Sequence, residues 1–181
     1  LHSIGIMPGL AFDFRPRSDW LVVPSIQAGL ARDFSIDTSA VIYSANLRAL
    51  GQWKLSQNTL SWGNRVRLAG QFNLDQRKEQ GFVLVETGLD LELEPSFQIA
   101  KEEASLSIYT QLQAYNPDIG IRGISGERID TRTLVHLGIS LGFKETKKIL
   151  GVPVQRGGIS FIRGDDLKAI SLNLGFPLGR D

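Results

Sequence analysis

The sequence predicts an all-β fold, an antiparallel up-and-down barrel of the membrane-spanning type with about eight to ten strands. Residues 1–181 form one domain in this reading. Three observations carry the expectation. Apolar residues recur with period two along most of the chain, where a helix would spread them around its whole circumference. Several runs sustain that alternation for about 11 to 14 residues, whereas soluble strands usually have five or six and a tilted membrane strand about nine to eleven. The face opposite the apolar one is rich in Gly, Ser, Gln, Asn and Tyr with both signs of charge, a composition suited to a narrow lumen.

In chain order, Leu10 to Phe14 is a weak strand candidate. Trp20, Val22, Pro24, Ile26, Ala28 and Leu30 then oppose Ser25, Gln27, Gly29 and Ala31. Ala40 to Leu50 and Trp53 to Leu60 are weaker again. From Ser61 to Asn73, Trp62, Val66, Leu68 and Phe72 share a face against Arg65, Arg67 and Gln71. From Phe82 to Glu94, Val83, Val85, Thr87, Leu89, Leu91 and Leu93 oppose Glu86, Gly88, Asp90, Glu92 and Glu94. Leu106 to Ala114, Val135 to Phe143 and Ile170 to Leu178 repeat the pattern, and Gly158 to Arg163 is a weaker instance. Charged or turn-forming clusters separate these runs: 15–19, 75–80, 101–103, 144–148 and 164–166. Residues 116–132, with Asn-Pro-Asp and three glycines, read as the longest connection.

Composition excludes several classes of function. Twenty basic residues against 19 acidic ones give a net charge of +1, which leaves no nucleic-acid footprint. The absence of cysteine removes disulfides, thiolate catalysis and thiolate zinc sites, and two histidines do not make an all-histidine metal site. No run approaches the roughly 18 apolar residues of a membrane helix, a test that membrane strands escape. The chain starts at Leu1 with no initiator methionine and is read as a mature form or an excised fragment.

Candidate chemistry is sparse. Arg65 and Arg67 against Glu86, Asp90 and Glu92 form a candidate lumen charge network, because charges inside a barrel must be paired. Asp90 and Glu92 also have the separation of a carboxylate pair, a spacing that any acidic alternating strand produces. His136 and Ser140 share a face, but four residues along a strand is about 13 Å, too far for a base and its nucleophile. No catalytic residue, metal site or cofactor is expected. Trp20, Trp62, Phe72, Phe143 and Phe176 lie towards the ends of their apolar faces, where an interfacial girdle would sit.

The last strand, Lys168-Ala-Ile-Ser-Leu-Asn-Leu-Gly-Phe176, resembles the C-terminal strand of bacterial outer-membrane β-barrels. The resemblance implies that Ile170, Leu172, Leu174 and Phe176 are the signal read by the barrel assembly machinery, with membrane lipid as the other partner. Among such proteins the Gly-rich amphipathic strands look most like autotransporter-type barrel domains without a passenger. Those have twelve strands, which would require residues before Leu1. The implied location is the bacterial outer membrane. The implied role is structural, adhesive or narrow-pore transport, without catalysis. Two alternatives stay open: a soluble β-barrel around a hydrophobic small molecule, and an outer-membrane lipid hydrolase. No oligomeric state is indicated.

Overall fold

Period-two alternation becomes one antiparallel up-and-down sheet of eleven strands. The computed structural model describes residues 3–35, 37–99, 102–122, 128–149 and 152–174. Three short N-terminal strands, β1 (Ser3–Ile6), β2 (Gly9–Ala11) and β3 (Phe14–Arg17), pair in turn with successive stretches of β4 (Trp20–Asp33). They behave as one strand interrupted near Pro8 and Asp13. Pro8 cannot donate to a ladder, so the break falls where a donor is missing. The remaining strands follow in chain order: β5 (Thr38–Leu55), β6 (Asn58–Asn73), β7 (Lys78–Ile99), β8 (Glu102–Arg122), β9 (Arg128–Ile149), β10 (Val152–Arg163) and β11 (Lys168–Leu174). The eleven strands therefore occupy nine positions across the sheet, β1-β4-β5-β6-β7-β8-β9-β10-β11.

Hairpin turns fall at two rims. Residues 34–35 and 37, 74–77 and 164–167 lie at the upper rim, while Ser18-Asp19 and Ser56-Gln57 lie at the lower rim. Asp37, Ser56 and Arg77 take left-handed φ values of 47°, 58° and 52°, which lets the chain reverse tightly without glycine. The Asn73 side chain fixes one upper turn by accepting the backbone N–H groups of Asp75 and Gln76, both at 2.9 Å.

The strands run longer than the sequence indicates. Residues 116–132, expected as a connection, instead extend β8 to Arg122 and start β9 at Arg128, past a register shift between Ala114 and Ile119. Likewise β7 continues past Glu94 to Ile99, β8 begins at Glu102, and the backbone of 144–148 belongs to β9. A hairpin ladder satisfies its backbone groups internally, so polar side chains do not end it. The Trp53 to Leu60 candidate is divided by the Ser56-Gln57 turn.

The expected barrel closure is not formed among the described residues, where β11 pairs only with β10 and the β1–β3 line only with β4. In an antiparallel sheet of nine positions the two edge strands point the same way, so no antiparallel seam is available between them. The sheet is nevertheless strongly curled. Arg156 of β10 reaches Asp90 of β7 at 3.0 Å, and Asn173 of β11 reaches Tyr109 of β8 at 2.6 Å. Each contact crosses three strand spacings, roughly 14 Å on a flat sheet, farther than those side chains could bridge without curvature.

Candidate functional site: the polar concave face

The curl gives the sheet two chemically opposite faces. Glu86, Asp90, Ser107, Gln111, Ser140 and Ser160 are buried on the concave side. Leu137, Ile139, Leu172 and their neighbours are exposed on the convex side, Leu137 to 60 % and Ile139 to 55 %. This inverts the usual distribution, in which large apolar residues are buried and charges face water.

The register sets the polar face residue by residue. Arg65 lies directly opposite Glu86 across β6 and β7, and Glu86 opposite Gln113 across β7 and β8. Glu86 accepts from Arg65 Nη1 at 3.2 Å, Gln111 Nε2 at 2.9 Å and Gln113 Nε2 at 2.8 Å. A carboxylate 3 % exposed is thus held by one cation and two amides, which offsets its loss of water. Gln113 Oε1 lies 3.3 Å from His136 Nε2 and also accepts from Tyr115 Oη at 3.2 Å.

A second cluster centres on Asp90. Its cation is Arg156 Nη1 at 3.0 Å, and Arg156 Nη2 also donates to Ser107 Oγ. Beside it the Tyr109 ring lies across Gly138, where an added Cβ would come within 2.6 Å of the ring. Asn173 Nδ2 donates to Tyr109 Oη and, at 3.0 Å, to Ser160 Oγ, tying β8, β10 and β11 together.

Of the five charges expected to form a network, the structure brings Arg65 and Glu86 together. Asp90 pairs with Arg156 instead. Glu92 and Arg67 make no ion pair among the described residues. Arg156 was missed because its strand alternates weakly. Counting back by twos from Ser160 and Gly158 would have placed it on the polar face. His136 contacts Gln113 rather than Ser140, whose Oγ is buried without a hydrogen-bond partner among the described residues. Ile170 and Leu172 project from the convex face at the β11 edge, both more than three-quarters exposed. Only the backbone of Leu174 is described, and Phe176 lies outside the described residues.

At the lower rim of the convex face, Trp20, Trp53 and Trp62 form one aromatic cluster. Ring centroids are 5.7 Å apart for Trp20–Trp53, 5.9 Å for Trp20–Trp62 and 6.5 Å for Trp53–Trp62. Gly51 makes room for it, since a Cβ there would stand 2.6 Å from Trp53 Cη2. Phe143 sits on the same face towards the lower end of β9, and Phe72 lies next to the upper turn at 74–77.

Two recesses open on the concave face. The upper one, of about 700 Å³, spans β4 to β8 and includes Gln27, Arg67, Gln71, Gln80 and Phe82. The lower one, of about 500 Å³, is lined by charged residues including Asp13, Arg15, Arg48 and Lys54. The chain matches no protein-family model, and no curated protein or solved structure matches it at a significant level. Fold and site thus define an all-β, up-and-down antiparallel sheet with a hydrogen-bonded polar interior and an apolar exterior.

Proposed function

We propose that this chain is an integral outer-membrane β-barrel, its convex face in lipid and its concave face forming a largely filled lumen. The observation that carries the reading is the inversion of polarity: ionised and amide side chains are buried and mutually bonded while leucines and isoleucines are exposed. Dimensions agree. The apolar stretch from Val83 to Leu93 is roughly 34 Å along the strand and about 25 Å when tilted by about 40°, the height of a membrane barrel's apolar band. The tryptophan cluster and Phe143 below, with Phe72 above, stand where an aromatic girdle would meet the headgroups.

In this reading the Glu86 and Asp90 clusters block the middle of the lumen, so the role is structural or adhesive, or at most transport through a narrow path. No catalysis is proposed. Lipid is the main partner. The β11 strand, with Ile170 and Leu172 outermost, serves as the assembly signal for the barrel assembly machinery, as in autotransporter-like barrels. Closure requires either a parallel seam between the edges or an additional strand. The soluble alternative needs the apolar face turned inwards around a ligand, and exposure on the convex face weighs against it.

Refolding from urea into detergent micelles, followed by electrophoresis in SDS with and without boiling, tests the proposal. A heat-dependent shift in mobility with strand-rich circular dichroism is expected. A chain that stays monomeric and folded in plain buffer would overturn it.

A further inference from the structure

We propose that the upper recess binds a small hydroxylated monocarboxylate of the uronic-acid type. The argument begins with charge. Arg65 and Arg156 each hold a carboxylate, whereas Arg67 faces Asn46 on β5 and Leu84 on β7, both neutral. Arg67 lines the recess and makes no hydrogen bond or ion pair among the described residues. Asp118, the carboxylate of the same recess, is engaged by Arg132 at 3.6 Å. The recess therefore carries one uncompensated positive charge on a planar fork that matches a carboxylate in geometry.

One hydroxyl–amide pair and one amide–amide pair line the same recess. Ser44 Oγ donates to Gln27 Oε1 at 3.2 Å, and Gln71 Nε2 donates to Gln80 Oε1 at 3.1 Å. Those bonds fix the amide groups and leave the Nε2 donors of Gln27 and Gln80 for hydroxyl oxygens. Phe82, Ile42 and Met7 supply apolar lining suited to the face of a sugar ring. A single cation matches a monocarboxylate, whereas a dianionic phosphate would bring surplus charge. The recess belongs to the curled sheet itself, so the proposal stands apart from what covers the convex face.

The test is a titration of the refolded chain, in micelles or in whichever buffer holds it folded, by calorimetry and saturation-transfer NMR. The probes are sodium glucuronate, glucose and sodium acetate. Glucuronate is expected to bind about ten-fold or more tightly than either control, a difference of about 1.4 kcal/mol. Arg67→Gln should reduce glucuronate affinity to that of glucose, Arg67→Lys should fall between, and Arg15→Gln in the lower recess should change nothing. Circular dichroism of each variant checks folding. Absence of saturable glucuronate binding at tens of millimolar (about ten-fold or more above a Kd of about 1 mM), equal binding of acetate, or an unchanged Arg67→Gln affinity would each overturn the proposal. The heat-shift gel reports separately on the membrane reading.

Discussion

Replacing Ile139 with arginine separates lipid from water as the solvent of the convex face. Ile139 sits mid-band on β9, in register with Ile108 on β8 and Ile159 on β10, and is 55 % exposed. If that face meets water, the change trades an exposed apolar side chain for a solvated one, worth within about 0.5 kcal/mol. If it meets the bilayer midplane, arginine costs about 2–4 kcal/mol, falling to about 0–1 kcal/mol near the interface. Leu60 shares the convex face but is the third residue past the Ser56-Gln57 turn, so Leu60→Arg provides the interfacial reference. The assay is reversible urea unfolding in phospholipid vesicles, followed by tryptophan emission. A difference of about 2 kcal/mol or more between the two variants is expected. Equal costs, or an Ile139→Arg penalty under about 1 kcal/mol, would refute lipid contact at this face.

Glu86→Ala leaves Arg65, Gln111 and Gln113 without their shared acceptor and should cost about 3–5 kcal/mol. A Glu86→Leu, Arg65→Met double variant should recover more than half of that, read from the same urea curves. Gly51→Val would drive a methyl into Trp53 and Trp20, so the cluster's near-ultraviolet dichroism should weaken, with a loss of about 1–3 kcal/mol. Asp165, in the β10–β11 turn, accepts the Arg132 backbone N–H at 2.9 Å, and that bond first among its contacts lowers its pKa below the usual carboxylate value. Its contribution is therefore complete above the unfolded pKa of about 4 and is lost as pH falls through the lowered folded value. Hydrogen-exchange protection at Arg132, taken relative to the intrinsic rate at each pH, should fall over that acid window, and Asp165→Asn should remove that pH dependence.

Much of the sheet was legible because each strand has a solvent-defined face on both sides. Ser61 to Asn73 alternates apart from Asn64, and Phe82 to Glu94 does so from Val85 onward; the faces expected there are the ones the register produces. That alternation put Arg65 and Glu86 on one polar face among five candidate charges, and the β6–β7 register then sets them opposite each other. Legibility failed where pairing rather than pattern extends a strand. The 116–122 stretch has turn-like composition, yet Ile119 to Arg122 ladder with β9 because the hairpin satisfies their backbone. It failed again for contacts between strands distant in order. Nothing local marks Arg156 as Asp90's partner, since that contact depends on curvature across β7 to β10.

That curvature is written in polar side chains. Arg156–Asp90 and Tyr109–Asn173 each cross three strand positions, and Gly138 is small enough for the Tyr109 ring to lie flat beneath the next strand. A soluble β-sheet is bent mainly by apolar packing on its inner face. Here the inner face holds amides, hydroxyls and ion pairs beside a few buried apolar side chains such as Val23, Leu50 and Leu84, while the exposed large apolar residues lie outside, where they add no inward cohesion. Buried hydrogen bonds of this kind are individually modest but costly to leave half made. The interior therefore specifies shape. On the proposed membrane reading, the free energy of burying the exterior comes from the bilayer, and the same leucines that would promote aggregation in water anchor the chain in lipid.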